Sequence, residues 1–382
     1  MRSGLLGRSS ASAGRKVKHV DASNRTGKPR PRRKWGWNGG QRPPGAQANG
    51  GQSKEGRAGE VLYGALDLGT NNCRLLIAAP RASGFVVVDA FSRIVRLGER
   101  LAHTGELSDA AMDHTIDALR VCANKLRWRK VERMRLVATE ACRMASNGAA
   151  FIARVQAETG LALEIIDRET EAHLAATGAE PLIDNASDTA LVFDIGGGST
   201  EVMWMARKDN RYEVAAWTSL AAGVVTISER FGGGMDVSPE SFARMRDHLK
   251  PLISTFADKV RALNGGTAEP GHLLGTSGTV TTIAGVQLGL ARYDRSRVDG
   301  CWLQSADIGA VTQQLLTMSY GERAQNPCIG RERADLVLAG CAILEEIREA
   351  FPSPRIRVAD RGLREGILAT LMKADGHLGV RT

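Results

Sequence analysis

One pattern constrains this chain more than any other. An apolar run ends in an aspartate, passes through glycines and hydroxyls, and resumes behind a second acid. It reads Leu191-Val192-Phe193-Asp194-Ile195-Gly196-Gly197-Gly198-Ser199-Thr200-Glu201-Val202-Met203-Trp204. Two β runs joined by a short Gly-rich link form a hairpin. Glycines admit positive φ and let backbone come close to a ligand. Successive N–H groups in such a turn make a concavity suited to phosphate. Asp194 and Glu201 flank it with the oxygen ligands that a hard cation takes. A turn that only reverses the chain needs neither carboxylate. The pattern also occurs twice. Leu66-Asp67-Leu68-Gly69-Thr70-Asn71-Asn72-Cys73-Arg74-Leu75-Leu76-Ile77 overlays Phe193 to Trp204 without a gap. Asp67 falls on Asp194, Gly69 on Gly196, Asn72 on Ser199 and Arg74 on Glu201, all at an offset of 127. An offset that long reads as two related halves, not as a solenoid.

Two phosphate-cradling hairpins, one per half and facing across a cleft, characterise the actin-like ATPase (ribonuclease H-like) fold, which this sequence resembles. Two domains is also the natural expectation for 382 residues. The element pattern agrees. Residues 61–98 read as a β-meander. Ser108 caps a helix with Met112, Ile116, Leu119, Ala123 and Leu126 on one face. A strand at Met134–Ala138, a loop, a helix capped near Ser146 and ending at Gly160, and a strand at Leu163–Ile166 follow. Asp167 then caps the helix that holds Glu169, Glu171 and His173. This order is mixed α/β. Past the second hairpin come a strand at Tyr212–Trp217 and helices near Thr226–Phe231 and Pro239–Leu263. The strand-to-helix turn with Gly275, Ser277 and Gly278 is a third candidate phosphate loop, because a helix N-terminus offers free N–H groups. Helices near 306–318 and 331–350, a strand at Arg355–Ala359 and a helix from Gly362 close the chain. The predicted organisation is therefore a tail over 1–60, one actin-like α/β domain over 61–168 and a second over 169–362. The final helix, about 363–382, is expected to pack back on the first domain.

The net charge of +9 belongs to the tail. Residues 1–60 carry fourteen Lys/Arg against Asp21, Glu55 and Glu60, which leaves 37 basic and 39 acidic groups beyond them. The tail is Gly-, Pro- and Arg-rich with few aliphatics, a composition expected to stay disordered. Arg32-Arg33 suggests twin-arginine export, but no apolar region follows Lys34-Trp35-Gly36-Trp37. No run approaches a membrane span. A basic arm of this kind can hold a polyanion by counterion release, and a passive extension is the equal alternative. The six cysteines, Cys73, Cys122, Cys142, Cys301, Cys328 and Cys341, form no C-x-x-C and no metal spacing. They read as reduced thiols of a cytoplasmic protein.

Six stretches occurring in order carry a family resemblance. They are Asp67–Asn72, Thr139-Glu140-Ala141-Cys142-Arg143, Glu164-Ile165-Ile166 with Glu171-Ala172, Asp194–Glu201, Gly275–Thr279 and Gly362-Leu363-Arg364-Glu365-Gly366. Together they resemble the exopolyphosphatase / guanosine pentaphosphate phosphohydrolase (Ppx/GppA) family over roughly residues 61–375, in its short form without a C-terminal HD-type domain. The resemblance implies an actin-like fold, a divalent cation, usually Mg²⁺, and hydrolysis of a terminal phosphoanhydride. The substrate would be inorganic polyphosphate or, alternatively, guanosine pentaphosphate. A homodimer is a further expectation, since this fold often pairs. A sugar- or acetate-type kinase would not need the Glu171 helix motif. A regulator that binds without hydrolysing is argued against by the intact set Asp67, Glu171, Asp194 and Glu201.

Such hydrolysis needs an aligned water, a group to take its proton, and donors on the transferred phosphoryl group. By resemblance Glu171 is the base. Asp194 and Glu201 position the cation or the water, and Asp67 faces them as a third metal-side carboxylate. Gly69, Thr70, Asn71 and Asn72 with Gly196, Gly197, Gly198, Ser199 and Thr200 cradle phosphates. Arg74 and Arg143 neutralise them bidentately, which Lys does less well. Arg93, Arg96 and Arg364 are further candidates for distal phosphates of a polymer. His173 stands where the family usually has Arg, so a fixed charge becomes pH-dependent. Asp360-Arg361-Gly362 replaces the usual Ser-Asp-Gly and adds a cation near the rim.

Overall fold

The structure is a computed structural model, described for residues 61–378; the tail expected to be disordered lies outside them. The first half forms a five-stranded sheet from β1 (Tyr63–Leu68), β2 (Asn72–Arg81), β3 (Gly84–Ile94), β4 (Arg133–Ala138) and β5 (Glu164–Ile165), ordered β3-β2-β1-β4-β5. The second forms a six-stranded sheet from β6 (Thr189–Ile195), β7 (Thr200–Lys208), β8 (Arg211–Leu220), β9 (Leu273–Thr276), β10 (Trp302–Gln304) and β11 (Arg355–Val358), ordered β10-β11-β9-β6-β7-β8. In each sheet three antiparallel strands in a meander meet two parallel ones at the first strand of the half, and in the second sheet β10 adds an antiparallel edge. This is the duplicated, actin-like arrangement that the 127-residue offset predicts.

The duplication extends to detail. Asp67 pairs across the ladder with Arg74, and Asp194 pairs with Glu201. The β2–β3 register slips between Ile77 and Ala78, the β7–β8 register between Trp204 and Met205, again 127 residues on. A bulge bends its strand and sharpens the twist, so both hairpins are curved at the same place.

Successive side chains of a strand point to opposite faces, and here both faces are covered. Leu66 and Leu68 of β1 join the core beneath the Asp109–Trp128 helix, whereas Tyr63 and Ala65 pack against Leu363, Ile367, Leu368 and Met372 of the C-terminal helix Leu363–Ala374. In the second sheet Leu191 and Phe193 enter the large core beneath Pro239–Leu263 and Val337–Ala350. Ala190 and Val192 face Ala172, Ala175 and Ala176 of the helix Arg168–Ala179. The helix that ends the first half thus lies on the second sheet, and the helix that ends the chain lies on the first. Where these two helices cross, a Cβ on Gly366 would collide with the Leu174 carbonyl and one on Gly178 with that of Gly362. Only glycine allows this approach.

Several local readings are corrected. The turn expected at Thr139–Arg143 is a short helix, Glu140–Met144; a five-residue element is too short to show periodicity. The next helix starts at Gly148, after Asn147 and not Ser146, and the helix expected over 331–350 starts at Val337. Ser108 and Asp167 do cap their helices, accepting from the Ala111 and Thr170 amides. All six cysteines are free thiols. Among the described residues no helix is long and apolar enough to cross a membrane.

Candidate active site

The two hairpin turns touch. Each spans four residues and is closed by the same bond, Gly69 N–H to the Asn72 carbonyl and Gly196 N–H to the Ser199 carbonyl, both 2.9 Å. A Cβ on Gly197 would lie 3.0 Å from Thr70 Cβ and 3.1 Å from the Asn71 nitrogen, and one on Gly198 would lie 2.6 Å from Thr70 Oγ1. Gly223 seals the loop from behind, since a Cβ there would strike the Gly197 backbone. Val224 and Val225 N–H groups hold the Gly196 and Gly197 carbonyls at 2.9 and 2.8 Å.

Between the turns lies a cavity of about 120 Å³ lined by Asp67, Gly69 to Asn72, Arg74, Asp194, Gly196 to Ser199, Glu201, Ser277 and Gly278, with Glu171. Of the expected site residues three lie elsewhere. Thr200 is buried in β7 and its hydroxyl donates to the Ala222 carbonyl at 2.6 Å. Gly275 makes room for Phe193 and Val280, each 2.7 Å from a Cβ built there. Arg143 stands behind Glu171 with Nε, Nη1 and Nη2 all donating to protein: Nε and Nη2 to Glu140 Oε2 at 3.1 and 2.5 Å, Nη1 to the Ile166 carbonyl at 2.6 Å. Nη2 also meets Glu171 Oε2 at 3.0 Å. Its direct partner in this structure is thus the expected base, not the cavity.

The polar lining is only partly satisfied by the protein. Among the described residues, the N–H groups of Thr70, Asn71, Gly197 and Gly198 donate to no protein acceptor. Asn71 Oδ1, Asn72 Oδ1, Thr276 Oγ1 and Ser277 Oγ are buried without partners. Ser277 also sits at φ 96°, a conformation that costs energy for a residue with a Cβ and that clusters at ligand sites. Buried polar groups left open cost about 1–3 kcal/mol each, so the lining favours a polar guest.

The acids behave accordingly. Burial pushes Asp67 up to about 6 and Glu201 up to about 7, the latter helped by Asp194 and opposed by hydrogen bonds from Ser199 and Ser219. Burial also raises Asp194. Glu171 is held well above the usual carboxylate range by burial and then by the Glu201 charge, against the pull of Arg143. Among the described residues no three acids, histidines or cysteines are grouped so as to cage a metal ion. Asp67, Asp194 and Glu201 all line the one cavity, from both hairpins. A cation such as Mg²⁺, which takes one or two carboxylates and completes its shell with water and phosphate oxygens, still fits these hard, under-compensated donors.

A second cavity of about 670 Å³ opens from the first and shares Asp67, Arg74, Asp194, Ser277, Gly278 and Arg333 with it. Its wall carries Arg93, Arg295, Arg331, Arg361 and Arg364 as well. Some are neutralised: Arg361 is paired with Asp299, and Arg295 reaches Asp360 and Glu365. Arg74, Arg93, Arg331 and Arg333 form no ion pair among the described residues. Arg96 is absent from this wall; it grips Asp335 through both nitrogens at 2.9 and 3.2 Å. His173 is exposed on the outer side of the Glu171 helix, bonded to the Glu169 carbonyl. Residues the sequence reading missed include Glu140, Arg331 and Arg333.

An actin-like fold whose two glycine turns and buried acids meet in one cleft defines a phosphate-handling protein. The comparisons narrow the class: the chain belongs to the Ppx/GppA phosphatase family, which matches residues 76–375. It is 31% identical to Exopolyphosphatase 2 of Mycobacterium tuberculosis over 324 residues, covering 80% of this chain and 97% of that one. It is 29% identical over 331 residues to the guanosine-5'-triphosphate,3'-diphosphate pyrophosphatase of Photobacterium profundum, covering 84% of this chain but 61% of that one. The crystal structure of the Aquifex aeolicus member of the family matches with a TM-score of 0.66 at 28% identity, over 83% of this chain and 99% of that one.

Proposed function

We propose that this protein is an exopolyphosphatase that hydrolyses the terminal phosphoanhydride of inorganic polyphosphate. The observation that carries this reading is the second cavity. Three arginines without ion pairs, Arg93, Arg331 and Arg333, continue the anion site past the terminal phosphate, and a polymer of phosphates needs cations at successive positions. Ppx/GppA phosphatases are generally divalent-metal dependent, and Asp194 and Glu201, with Asp67 opposite, are the residues that would hold Mg²⁺. When bound, the ion would neutralise phosphate charge and make the phosphorus more electrophilic.

The chain's own residues supply the rest. Thr70, Asn71, Gly197 and Gly198 present open N–H groups to the terminal phosphate, and Arg74 neutralises it. Glu171 accepts the proton of a water lined up with the terminal phosphorus; the water oxygen bonds to phosphorus as the bridging P–O bond breaks. One orthophosphate leaves and the chain is shorter by one unit. A carboxylate held above its ordinary range by burial is a stronger base than a solvated one, which suits that task.

Guanosine pentaphosphate is the second reading. Tyr293, Pro327 and Ile329 give the larger cavity an apolar side that a nucleoside could use, and the Tyr293 hydroxyl is fixed to Asp360 Oδ2 at 2.8 Å. Phosphate release from long-chain polyphosphate, guanosine pentaphosphate and ATP, each with and without Mg²⁺, tests both. Release fastest from polyphosphate is expected. Release from guanosine pentaphosphate alone reverses the order, and release from none removes both. The basic segment 1–60 is proposed to add affinity for long chains; its deletion should flatten the salt dependence of KM.

A further inference from the structure

We propose that Glu140 is a positioning residue for Glu171, acting through the two arginines beside it; this rests on Glu171 being the water-activating base. Glu140 lies on the wall of the smaller cavity, where its charge opposes that of any phosphate. A carboxylate placed there works against binding unless it serves something else.

Its contacts say what it serves. One oxygen, Oε2, accepts from Arg143 Nε and Nη2, and the other, Oε1, accepts from Arg168 Nη2 at 2.8 Å. Arg143 in turn donates to Glu171 Oε2. Arg168 is the first residue of the helix that carries Glu171 one turn later. Glu140 therefore holds both the partner of the Glu171 carboxylate and the start of its helix.

Glu140 and Arg143 are 8% and 16% exposed, so the contact is shielded from water, unlike surface pairs worth ~0–1 kcal/mol. Arg143 keeps one orientation because Nε, Nη1 and Nη2 are all committed. Glu171 then has one oxygen pinned and the other left for water. The same side chain also meets the second hairpin, since a Cβ on Gly198 would lie 3.0 Å from Glu140 Cγ. The element that aims the base is thus in contact with the loop that holds the phosphate.

A purely electrostatic role predicts the opposite kinetics, so a split between kcat and KM separates the two. The test measures phosphate release from long-chain polyphosphate with Mg²⁺ for E140Q, E140D and R168A. Glutamine keeps the size but turns an amide toward a guanidinium. The expected result for E140Q is a kcat lower by ~10–100-fold, the scale of a small misplacement of a catalytic group, with KM unchanged or reduced. E140D keeps two acceptor oxygens and recovers part of the loss, and R168A loses less than E140Q. A wild-type kcat in E140Q, or an effect confined to KM, overturns the proposal while leaving the exopolyphosphatase reading intact. A crystal structure of E140Q decides independently of turnover: the Arg143 guanidinium and the Glu171 carboxylate should shift together from their wild-type positions, and an unmoved pair overturns the positioning role. Should the wild-type protein hydrolyse nothing, the functional reading fails and this structural result still tests Glu140.

Discussion

The two hairpins are built on one frame and differ in charge. Turn length, closing hydrogen bond and β-bulge recur 127 residues apart. The residue paired across the ladder does not. Asp67 has Arg74 opposite, so the first hairpin pairs an acid with a base; Asp194 has Glu201, so the second presents two acids. The frame comes from backbone: glycine at the close approaches and a register that keeps acids at the turn. Charge comes from one side chain just past the turn, which can change without disturbing the frame. Under the proposed function the difference divides the work. The arginine side suits the anionic substrate, and the doubly acidic side suits the cation that accompanies it.

The comparison breaks first at Glu171, which belongs to neither hairpin and is faced by both. Glu171→Gln keeps the shape and loses the ability to take a proton. Turnover should fall ~10²–10⁴-fold, the usual contribution of a general base, while polyphosphate still binds by equilibrium titration. A near wild-type rate would mean that the base lies on a hairpin after all. The next largest effect tests the division itself. Glu201→Gln should raise the Mg²⁺ concentration for half-maximal rate at least ~10-fold, on the scale of changes around a metal site, and Asp67→Asn should raise it less. Equal shifts for the two would abolish the distinction between the hairpins.

The sequence disclosed this frame because each hairpin is local: acid, turn and ladder partner lie within eight residues, and strand alternation does the rest. The same rule defeated the expectation for Thr200. It is one position past Ser199, so its side chain turns inward and bonds Ala222. Gly275 was legible as a special position but not as a packing one, because Phe193 reaches it from another strand. Arg331 and Arg333 come from a turn more than 250 residues after the first hairpin, and only tertiary folding brings them to the cleft. Glu140 left a faint trace, an i,i+3 pairing with Arg143 at a helix start, in an element too short to look helical.

A smaller effect sharpens the arginine side. Arg74→Ala removes a charged donor worth ~1.5–3 kcal/mol, so KM for polyphosphate should rise ~10-fold or more with the Mg²⁺ requirement unchanged. If the Mg²⁺ requirement moves instead, Arg74 supports Asp67 and does not meet substrate.

The smallest effect reads the acidic side through stability. Glu201 titrates at about 7 in the fold, above its ordinary 4.5, because burial and Asp194 disfavour its charge. The sign follows from proton binding: between those two values the folded state holds a proton that the unfolded chain has released, so this group's contribution weakens as pH rises from 4.5 to 7. Replacing it with a neutral glutamine removes that penalty. Without divalent cation, Glu201→Gln should therefore melt ~2–4 °C above wild type at pH 8 and no higher at pH 4.5, taking ~1 kcal/mol as the part that survives relaxation. Added Mg²⁺ should narrow the gap by stabilising only the wild type, since a ligand that binds the native state alone raises its stability. A gap that is the same at both pH values would mean that Glu201 is not strained by its charge, and the second hairpin would then have no more need of a cation than the first.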